Sequence, residues 1–393
     1  MIFIRKKLPN LEQHNSAIMT TAPKRFLALD VFRGMTICFM IIVNTPGNGA
    51  TSFAPLNHAH WDGFTPTDLV FPSFLFAVGN AMSFVMPKWL NMNQGKVVWK
   101  IFKRTAIIFL LGYLMYWFPF VRLDAAGHFV GAPFSHTRVF GVLQRIALCY
   151  GIAAVMIYYL KPKTVLIVTV IFLLGYWLLL YILGDPLAPL SLEGNGVLRL
   201  DRWLLGDNHL YHGEGVAFDP EGLLSTLPAI GNVVAGYIAG TFIQQKLNDY
   251  NGLSILLLSG VVLIFIGYCW DYGFPVNKKL WTSSFVMYTV GLDCVILSAI
   301  IFVTQFLNKT QWTYFFEVFG RNPLFIYLLS ELAVTLLFVF KADAKTSLFR
   351  WIYAHIFSHA GAYTGSLLFA ICFMLLCWLV GYFLDKRKIY VRV

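Results

Sequence analysis

Apolar stretches of about 20 residues recur along the whole chain and are separated by shorter polar segments. A hydrocarbon core about 30 Å thick is crossed by about 20 residues of α-helix, so each stretch is predicted to span a membrane. The pattern therefore predicts an all-α integral membrane protein, a bundle of about ten transmembrane helices. The predicted spans are residues 26–45, 66–87, 103–121, 139–160, 164–183, 222–244, 252–271, 284–307, 323–341 and 366–385.

Charge is sparse and unevenly distributed, since only 12% of the 393 residues are charged and 58% are hydrophobic. The net charge of +11 alone would suit a nucleic-acid partner, but its distribution fits a membrane topology instead. Residues 46–65 contain no Lys or Arg. With the basic segments in the cytoplasm, both termini are predicted to be cytoplasmic and His58 lies on the opposite side. The basic residues that set this topology are Arg5, Lys6, Lys7, Lys24, Arg25, Lys88, Lys96, Lys100, Lys103, Arg104, Lys386, Arg387, Lys388 and Arg392.

The chain is predicted to consist of an N-terminal tail followed by one membrane domain. Residues 1–25 lack the apolar core of a signal peptide and are predicted to be a cytoplasmic tail. Residues 26–393 show no internal repeat and are predicted to form a single transmembrane domain. All six cysteines fall inside predicted spans, without the CxxC spacing of a metal site, and are interpreted as small apolar packing residues.

Placing an ionisable side chain within a membrane span costs free energy, so such residues usually face a cavity or a partner. Arg138 and Arg145 in RVFGVLQR are seven residues apart, which predicts two helical turns along one face, with Gln144 beside them. Two arginines on one stripe favour an anion, and a phosphate-bearing ligand is a natural one. Pairing with Asp293 or Glu331 from another span is an equally good interpretation.

Carboxylates near the ends of spans also have two interpretations. Asp30 and Arg33 in LDVFRG lie three apart on one helical face and are predicted to pair with each other. Asp219 and Glu221 flank Pro220 just before a span, where carboxylates would suit the hydroxyls or amine of a polar substrate. Capping of a helix by Asp219, with Pro220 at the first helical position, explains the same residues without function and is favoured for Asp219.

Two asparagines lie at span boundaries. Asn44 in IIVNTPGNG is a neutral donor and acceptor that would suit a carbonyl or a sugar hydroxyl, although such an Asn also ends helices. Arg321 and Asn322 in GRNPLF begin a span on the predicted cytoplasmic side. They are either a phosphate contact or an ordinary basic flank.

The stretch NHAHWDGFTPTDLVFPSF places His58 in an outward loop and Asp68 at the start of the next span. An imidazole titrates near neutral pH and accepts a proton from a nucleophile, while a nearby carboxylate orients it. These residue types therefore suit a general base with its orienting acid. An ordinary polar loop, with Trp61 as an interfacial anchor, explains the stretch equally well.

The HxH pair formed by His58 and His60 also raises the question of a metal. No flanking acid or cysteine completes a recognisable ligand set, so no metal site is predicted. The other histidine pairs considered are His209 with His212 and His355 with His359.

Four motifs occur in order along the chain: LDVFRGMTICFMIIVN, HAHWDGFTPTDLVFPSFLFAVG, RVFGVLQRIALCY and HGEGVAFDPEGLLSTLPAI. Together they resemble the heparan-alpha-glucosaminide N-acetyltransferase family of transmembrane acyltransferases. The resemblance implies a bundle of about ten spans in which acetyl from cytoplasmic acetyl-CoA reaches the amine of a glucosamine unit across the membrane. It also suggests a homodimer.

The resemblance assigns roles to residues already singled out. His58 matches the family's active histidine, acting as a base on the amine or accepting the acetyl group transiently. Asn44 and Asp68 match polar residues near it, with Asp68 orienting the imidazole and Asn44 polarising the acyl oxygen. Arg138 matches a functionally sensitive arginine. The residues expected to hold coenzyme A are Arg138, Gln144, Arg145, Arg321 and Asn322, and those expected to bind the acceptor are His60, Trp61, Asp62 and Glu221.

Two departures from the family pattern shape the expected function. The extra N-terminal domain of lysosomal members is missing, which suggests a bacterial inner-membrane protein acting on a small amino sugar or glycan end. His60 stands where a small residue is expected, so either histidine of the pair is a candidate. The alternative function is a transporter of N-acetylglucosamine or a related amino sugar, which would need no acyl donor.

Overall fold

The computed structural model describes residues 26–123, 128–247, 249–343 and 345–391. The predicted tail, residues 1–25, lies outside the described residues. The α-helices are α1 (Leu27–Asn44), α2 (Val70–Trp89), α3 (Gln94–Trp117), α4 (Val142–Tyr159), α5 (Pro162–Leu183), α6 (Gly196–Leu205), α7 (Thr226–Lys246), α8 (Tyr250–Asp271), α9 (Ser283–Ile301), α10 (Thr313–Arg321), α11 (Pro323–Val339), α12 (Leu348–Ile352) and α13 (Ala362–Lys386). A short antiparallel pair joins β1 (Val121–Leu123) to β2 (Phe129–Gly131), with Val121 opposite Gly131.

The prediction of an all-α membrane protein is confirmed. In the described part of the chain, eight helices are long and apolar enough to cross a membrane: α1, α2 with the turn before it, α4, α5, α7, α8, α9 with the turn after it, and α13. Helices α10 and α11 would make a ninth span, bent by 83° at Asn322. The bend falls immediately before Pro323, because proline disfavours helical dihedrals in the residue that precedes it.

Helix α3 covers the remaining predicted span. It has 24 residues, about 36 Å of helix, but its first half carries Lys96, Lys100, Lys103 and Arg104. The predicted pairing of Asp30 with Arg33 within α1 is confirmed. The cysteines lie in helices as expected, with Cys269 and Cys372 exposed and the other four buried.

Helices α2 and α7 lie in backbone contact near the centre of the bundle. A β-carbon built on Gly79 would lie 1.8 Å from the carbonyl oxygen of Val233, and one built on Gly236 would lie 2.0 Å from that of Phe76. Only glycine permits this approach, and small residues at helix interfaces are the usual means of close packing in membranes. Because α2 begins beside the loop that carries His58, this contact fixes one wall of the site.

A second apolar cluster lies outside the main core, where the long segment between α5 and α7 folds back on the bundle. Trp61, three residues after His58, packs against it. The loop that carries His58 is therefore supported by a small core of its own. The buried members are Tyr176, Leu180, Val197, Leu198, Phe218, Leu224, Phe274 and Leu280.

Candidate active site

His58 and Asp68 form the centre of the site. His58 lies in the loop between α1 and α2, and Asp68 lies in the single turn Pro66–Leu69 that leads into α2. The His58 Nδ1 atom is 2.6 Å from Asp68 Oδ1, and the side chains are 43% and 1% exposed respectively. An ionised carboxylate only accepts hydrogen bonds, so Nδ1 carries the proton. The Nε2 atom is then left as an acceptor, the arrangement required of a general base.

The Asp68 carboxylate cannot turn away from the imidazole. Its Oδ2 accepts hydrogen bonds from the backbone N–H of Thr65 at 2.9 Å and of Ala59 at 3.2 Å, and from the Thr65 hydroxyl at 3.0 Å. Thr65 and Asp68 form a capping box at the start of the helix. The same local structure that starts the span therefore orients His58.

Lys278 is a member of the site that the sequence analysis missed. Its Nζ is 3.3 Å from His58 Nε2, although the two residues are 220 positions apart. Burial lowers the pKa of Lys278 below the ordinary lysine value, against the opposing charges of Glu221 and Asp68. The sequence does contain a signal for Lys278. Lys278 and Lys279 form a basic pair in a segment predicted to face outward, where lysines are usually depleted.

Three of the predicted acceptor-binding residues tie this loop to other segments. Trp61 Nε1 donates to the carbonyl of Leu190 at 2.9 Å, so Trp61 is more than an interfacial anchor. Asp62 Oδ1 accepts from Asn277 Nδ2 at 3.1 Å. The backbone carbonyl of His60 accepts from a lysine at 2.8 Å, while its side chain is exposed. Their role in acceptor binding stays a prediction.

Arg138 is the hub of a second cluster. Its Nε and Nη2 donate to the two carboxylate oxygens of Asp219 at 2.8 and 2.7 Å, and Nη2 also donates to Glu221 Oε2 at 2.6 Å. The guanidinium lies between the rings of Tyr116 and Tyr211, 4.8 and 4.7 Å from their centroids. Such a fork and double stack is specific to arginine.

The partners of Arg138 also set its charge state. Burial alone would lower the pKa of Arg138, but the bond to Asp219 and the charge of Glu221 raise it well above its usual range. Burial opposes ionisation of Glu221, yet the charges of Arg138 and Lys278 outweigh it and lower the pKa of Glu221. Glu221 is therefore an anion whose charge is balanced by Arg138 and Lys278.

Three expectations about this region are wrong. Arg138 precedes α4, which begins at Val142, so Arg138 and Arg145 do not share a helical stripe. Arg138 pairs with Asp219 and Glu221 rather than with an acid from another span, because the segment before α7 folds over it. Asp219 does not cap α7, which begins seven residues later at Thr226; its carboxylate is occupied by the arginine instead.

Arg145 and Gln144 lie deeper in the bundle. Arg145 Nη2 donates to the carbonyl of Gly222 at 3.0 Å and to the Ser225 hydroxyl, and its guanidinium lies 4.9 Å from the centroid of the Trp281 ring. Among the described residues, Arg145 Nε and Nη1 and both side-chain polar atoms of Gln144 have no hydrogen-bond partner. Both residues are fully buried, where polar atoms normally have hydrogen-bond partners, so these atoms are candidates to contact a polar ligand.

Asn44 is held across the bundle rather than at its own helix end. Its Nδ2 donates to Glu331 Oε1 on α11 at 3.3 Å. This contact joins the end of α1 to α11.

Arg321 and Asn322 occupy a different place, at the bend between α10 and α11. Arg321 donates to Glu317 at 2.5 Å and to both oxygens of Asp385 at 2.8 Å. Asn322 Nδ2 donates to the carbonyl of Ile389, and its Oδ1 accepts from the N–H of the residue at position 391. These contacts join the bend to the segment after α13. The structure thus places these two residues apart from Arg138, Gln144 and Arg145, and their coenzyme A contact stays a prediction.

Comparison with known proteins identifies the site's relatives. The sequence profile described as heparan-alpha-glucosaminide N-acetyltransferase, catalytic, matches residues 25–267, more than half of the chain. This chain belongs to that family. The protein named heparan-alpha-glucosaminide N-acetyltransferase is 28% identical in human and 26% in mouse, over 79% and 78% of this chain. The matches cover 53% of each relative, so the chain spans about half the length of the curated relatives it matches.

The match to the acetyltransferase family covers His58, Asp68, Arg138 and Glu221, but it stops before Lys278. The Asn44 partner Glu331 also lies beyond the matched range. Within the described residues, no group of three or more His, Cys, Asp or Glu side chains is arranged to hold a metal ion.

Proposed function

We propose that this member of the family is a transmembrane acetyltransferase that moves acetyl from cytoplasmic acetyl-CoA to the amine of a glucosamine-containing sugar on the other side of the membrane. The observation that carries the proposal is the imidazole of His58, whose Nδ1 is fixed by a buried Asp68 carboxylate. This is a base with its orienter, at the end of a bundle whose relatives are named acetyltransferases.

The chemistry follows from the tautomer. Bound acetyl-CoA supplies an acetyl group activated by its bond to sulfur. His58 Nε2 accepts the proton that the acceptor amine loses as its nitrogen attacks the acetyl carbon, and then returns that proton to the departing sulfur. Asp68 holds the imidazole in place and stabilises its charge while the proton resides there. Asn44 would polarise the acyl oxygen.

Glu221 is proposed to receive the acceptor. It is an anion whose carboxylate is held by Arg138, so it is oriented before any substrate arrives. A preorganised carboxylate suits the ammonium and hydroxyl groups of an amino sugar. The exposed side chains of His60 and Asp62, in the loop of the base, would provide the remaining polar contacts.

Gln144 and Arg145 are proposed to contact the pantetheine arm of the donor. That arm carries two amide groups, each with a donor and an acceptor. The unpartnered side-chain amide of Gln144 and the free guanidinium atoms of Arg145 match them, and leaving such groups unpaired in a buried place costs about 1–3 kcal/mol each. Arg138 supports Glu221 in this proposal, since its Nε and Nη2 donate to Asp219 and Glu221.

A vesicle experiment tests the function. The purified protein is reconstituted with labelled acetyl-CoA on the side of the termini and glucosamine on the other, and acetylated sugar is measured. We expect product opposite the donor, its loss in His58→Ala, and its retention in the control His359→Ala, at an exposed histidine that the proposed site does not use. Uptake of N-acetylglucosamine without coenzyme A, and without label transfer, would contradict the proposal and favour the transporter.

A further inference from the structure

The amine of Lys278 lies against the ring nitrogen of His58 that faces away from Asp68. Nδ1 of His58 donates to Asp68, so its Nε2 lone pair accepts the hydrogen bond from Lys278 Nζ at 3.3 Å. Nε2 is also the atom that must take the acceptor's proton in the proposed reaction. A cationic donor therefore lies on the reacting atom of the base.

Anchors on both sides fix Lys278 in this position. The N–H of Gly63 donates to the carbonyl of Val276 at 2.8 Å, and Asn277 donates to Asp62 at 3.1 Å. On the other side, Lys279 Nζ is bound to Glu214 at 2.5 Å and to the carbonyl of His60. The backbone of residue 278 is thus held against the His58 loop by its immediate neighbours.

The two adjacent lysines have different surroundings. Lys279 is neutralised by a direct ion pair with Glu214. Lys278 Nζ is hydrogen-bonded to the imidazole of His58. The carboxylates of Glu221 and Asp68 affect Lys278 through their charges. Its ammonium is therefore available to an anionic group that forms beside His58.

We propose that Lys278 is a catalytic residue of this site. Its Nζ keeps His58 Nε2 in the proton-accepting form and then stabilises the negative charge that develops on the acetyl oxygen. This inference rests on the proposed acetyl transfer. In that step the acceptor nitrogen bonds to the acetyl carbon, the carbon–sulfur bond breaks, and the proton passes through Nε2 to sulfur. Lys278 forms and breaks no covalent bond, and its flexible four-carbon stem allows Nζ to turn from Nε2 to the oxygen.

Steady-state kinetics with three variants test this role. Lys278→Met keeps the length and removes the charge, and we expect kcat to fall by about 10²–10³-fold, with KM for glucosamine changed by less than about threefold. Lys278→Arg should recover part of the loss because it keeps the charge. Lys345→Met, at an exposed lysine that the site does not use, is the control and should keep most of the activity. Full kcat in Lys278→Met, or an equal loss in Lys345→Met, would overturn the proposal.

Chemical labelling gives a second measurement that needs no acetyl-CoA. Diethyl pyrocarbonate modifies an unprotonated imidazole nitrogen, and Lys278 covers that atom in the wild-type protein. We expect His58 to be modified several times faster in Lys278→Met than in wild type or Lys345→Met, as measured by mass spectrometry of the modified peptide. An unchanged rate would refute the contact whatever the activity. Faster labelling in a protein that transfers no acetyl would refute the proposed function while supporting the contact.

Discussion

Asp201 on α6 lies directly against Gly222, so closely that a β-carbon built on Gly222 would be 1.9 Å from Asp201 Oδ2. Asp201 Oδ1 accepts from the N–H of Leu223 at 3.1 Å, while Oδ2 has no hydrogen-bond partner among the residues that the structure describes. Burial raises the pKa of Asp201 to about 7. The carbonyl of Gly222 binds Arg145, and Glu221 is the preceding residue. A carboxyl that titrates near neutral pH therefore supports the segment that carries Glu221.

This relationship predicts the pH dependence of stability. The pKa of an unfolded Asp is about 3.9, so the folded protein binds the Asp201 proton more tightly. The stabilisation is complete below about pH 4 and is lost as pH rises towards about 7. Asp201→Asn resembles the protonated form and escapes this loss. We expect its apparent melting temperature to exceed that of wild type by an amount that grows between about pH 4 and pH 7 and then levels off.

Asp207→Asn is the control for this prediction. Asp207 lies just after α6 and its side chain is 59% exposed, so its replacement should leave the pH profile of melting unchanged. A wild-type protein and an Asp201→Asn variant whose melting temperatures differ equally at every pH would contradict the assignment.

Replacement of Asp68 should separate two roles of one carboxylate. Asp68→Asn loses the negative charge and one of the two acceptor oxygens. Because three donors surround the Oδ2 position, the NH2 group of Asn would face His58 Nδ1 and favour the wrong tautomer, and we expect acetyl transfer to fall by about 10²–10⁴-fold. Thr65→Val loses capping bonds but keeps the contact with His58, so it should cost about 1 kcal/mol of stability and retain activity within a few-fold. Turnover and melting temperature measured in parallel distinguish the catalytic role from the structural one. Equal losses of activity in both variants would assign Asp68 to structure alone.

The Arg138 cluster should be sensitive to the shape of the cation. Arg138→Ala leaves the buried carboxylates of Asp219 and Glu221 unpaired, and losing one partner of a buried pair costs about 3–5 kcal/mol. Arg138→Lys keeps the charge but cannot form the fork or stack between two rings, so it should recover only part of the stability. Thermal unfolding in detergent measures both. Full stability of Arg138→Lys would show that a positive charge alone is sufficient. The double variant Arg138→Ala with Asp219→Asn should lose less stability than Arg138→Ala alone.

The contact between α2 and α7 predicts intolerance of a single methyl group. Gly79→Ala would place its β-carbon 1.8 Å from a backbone oxygen, which forces the helices apart. We expect a lower melting temperature and a smaller fraction of monodisperse protein on size-exclusion chromatography. Gly175→Ala on α5 is the control, because nothing lies within 4 Å of a β-carbon at that position. Equal behaviour of the two variants would contradict the observed packing.

Local patterns predicted much of the fold and the centre of the site. Spans are recognisable because crossing a bilayer requires long apolar helices, whatever they pack against. The contact between His58 and Asp68 could be predicted because both residues lie in one loop and turn, 10 residues apart. The pairing of Asp30 with Arg33 depends only on helical spacing.

Contacts between distant segments were not predictable in this way. Arg138 meets Asp219 across 81 positions, and Asn44 meets Glu331 across 287. Hydrophobic periodicity gives the lengths of helices but not which loops meet at their ends. Lys278 was missed for this reason, although its charge on the predicted outward side was an anomaly that invited an explanation.

The loop that carries His58 is bound to two separate parts of the chain, through Trp61 to Leu190, and through Asp62 and Gly63 to the adjacent residues Asn277 and Val276. No single stretch of sequence therefore contains the site. A chimaera that exchanges only residues 57–74 between relatives would carry the histidine and its acid but lose the partners that hold them. Swapping specificity within this family should require the His58 loop and both of its partner segments to be transferred as a set.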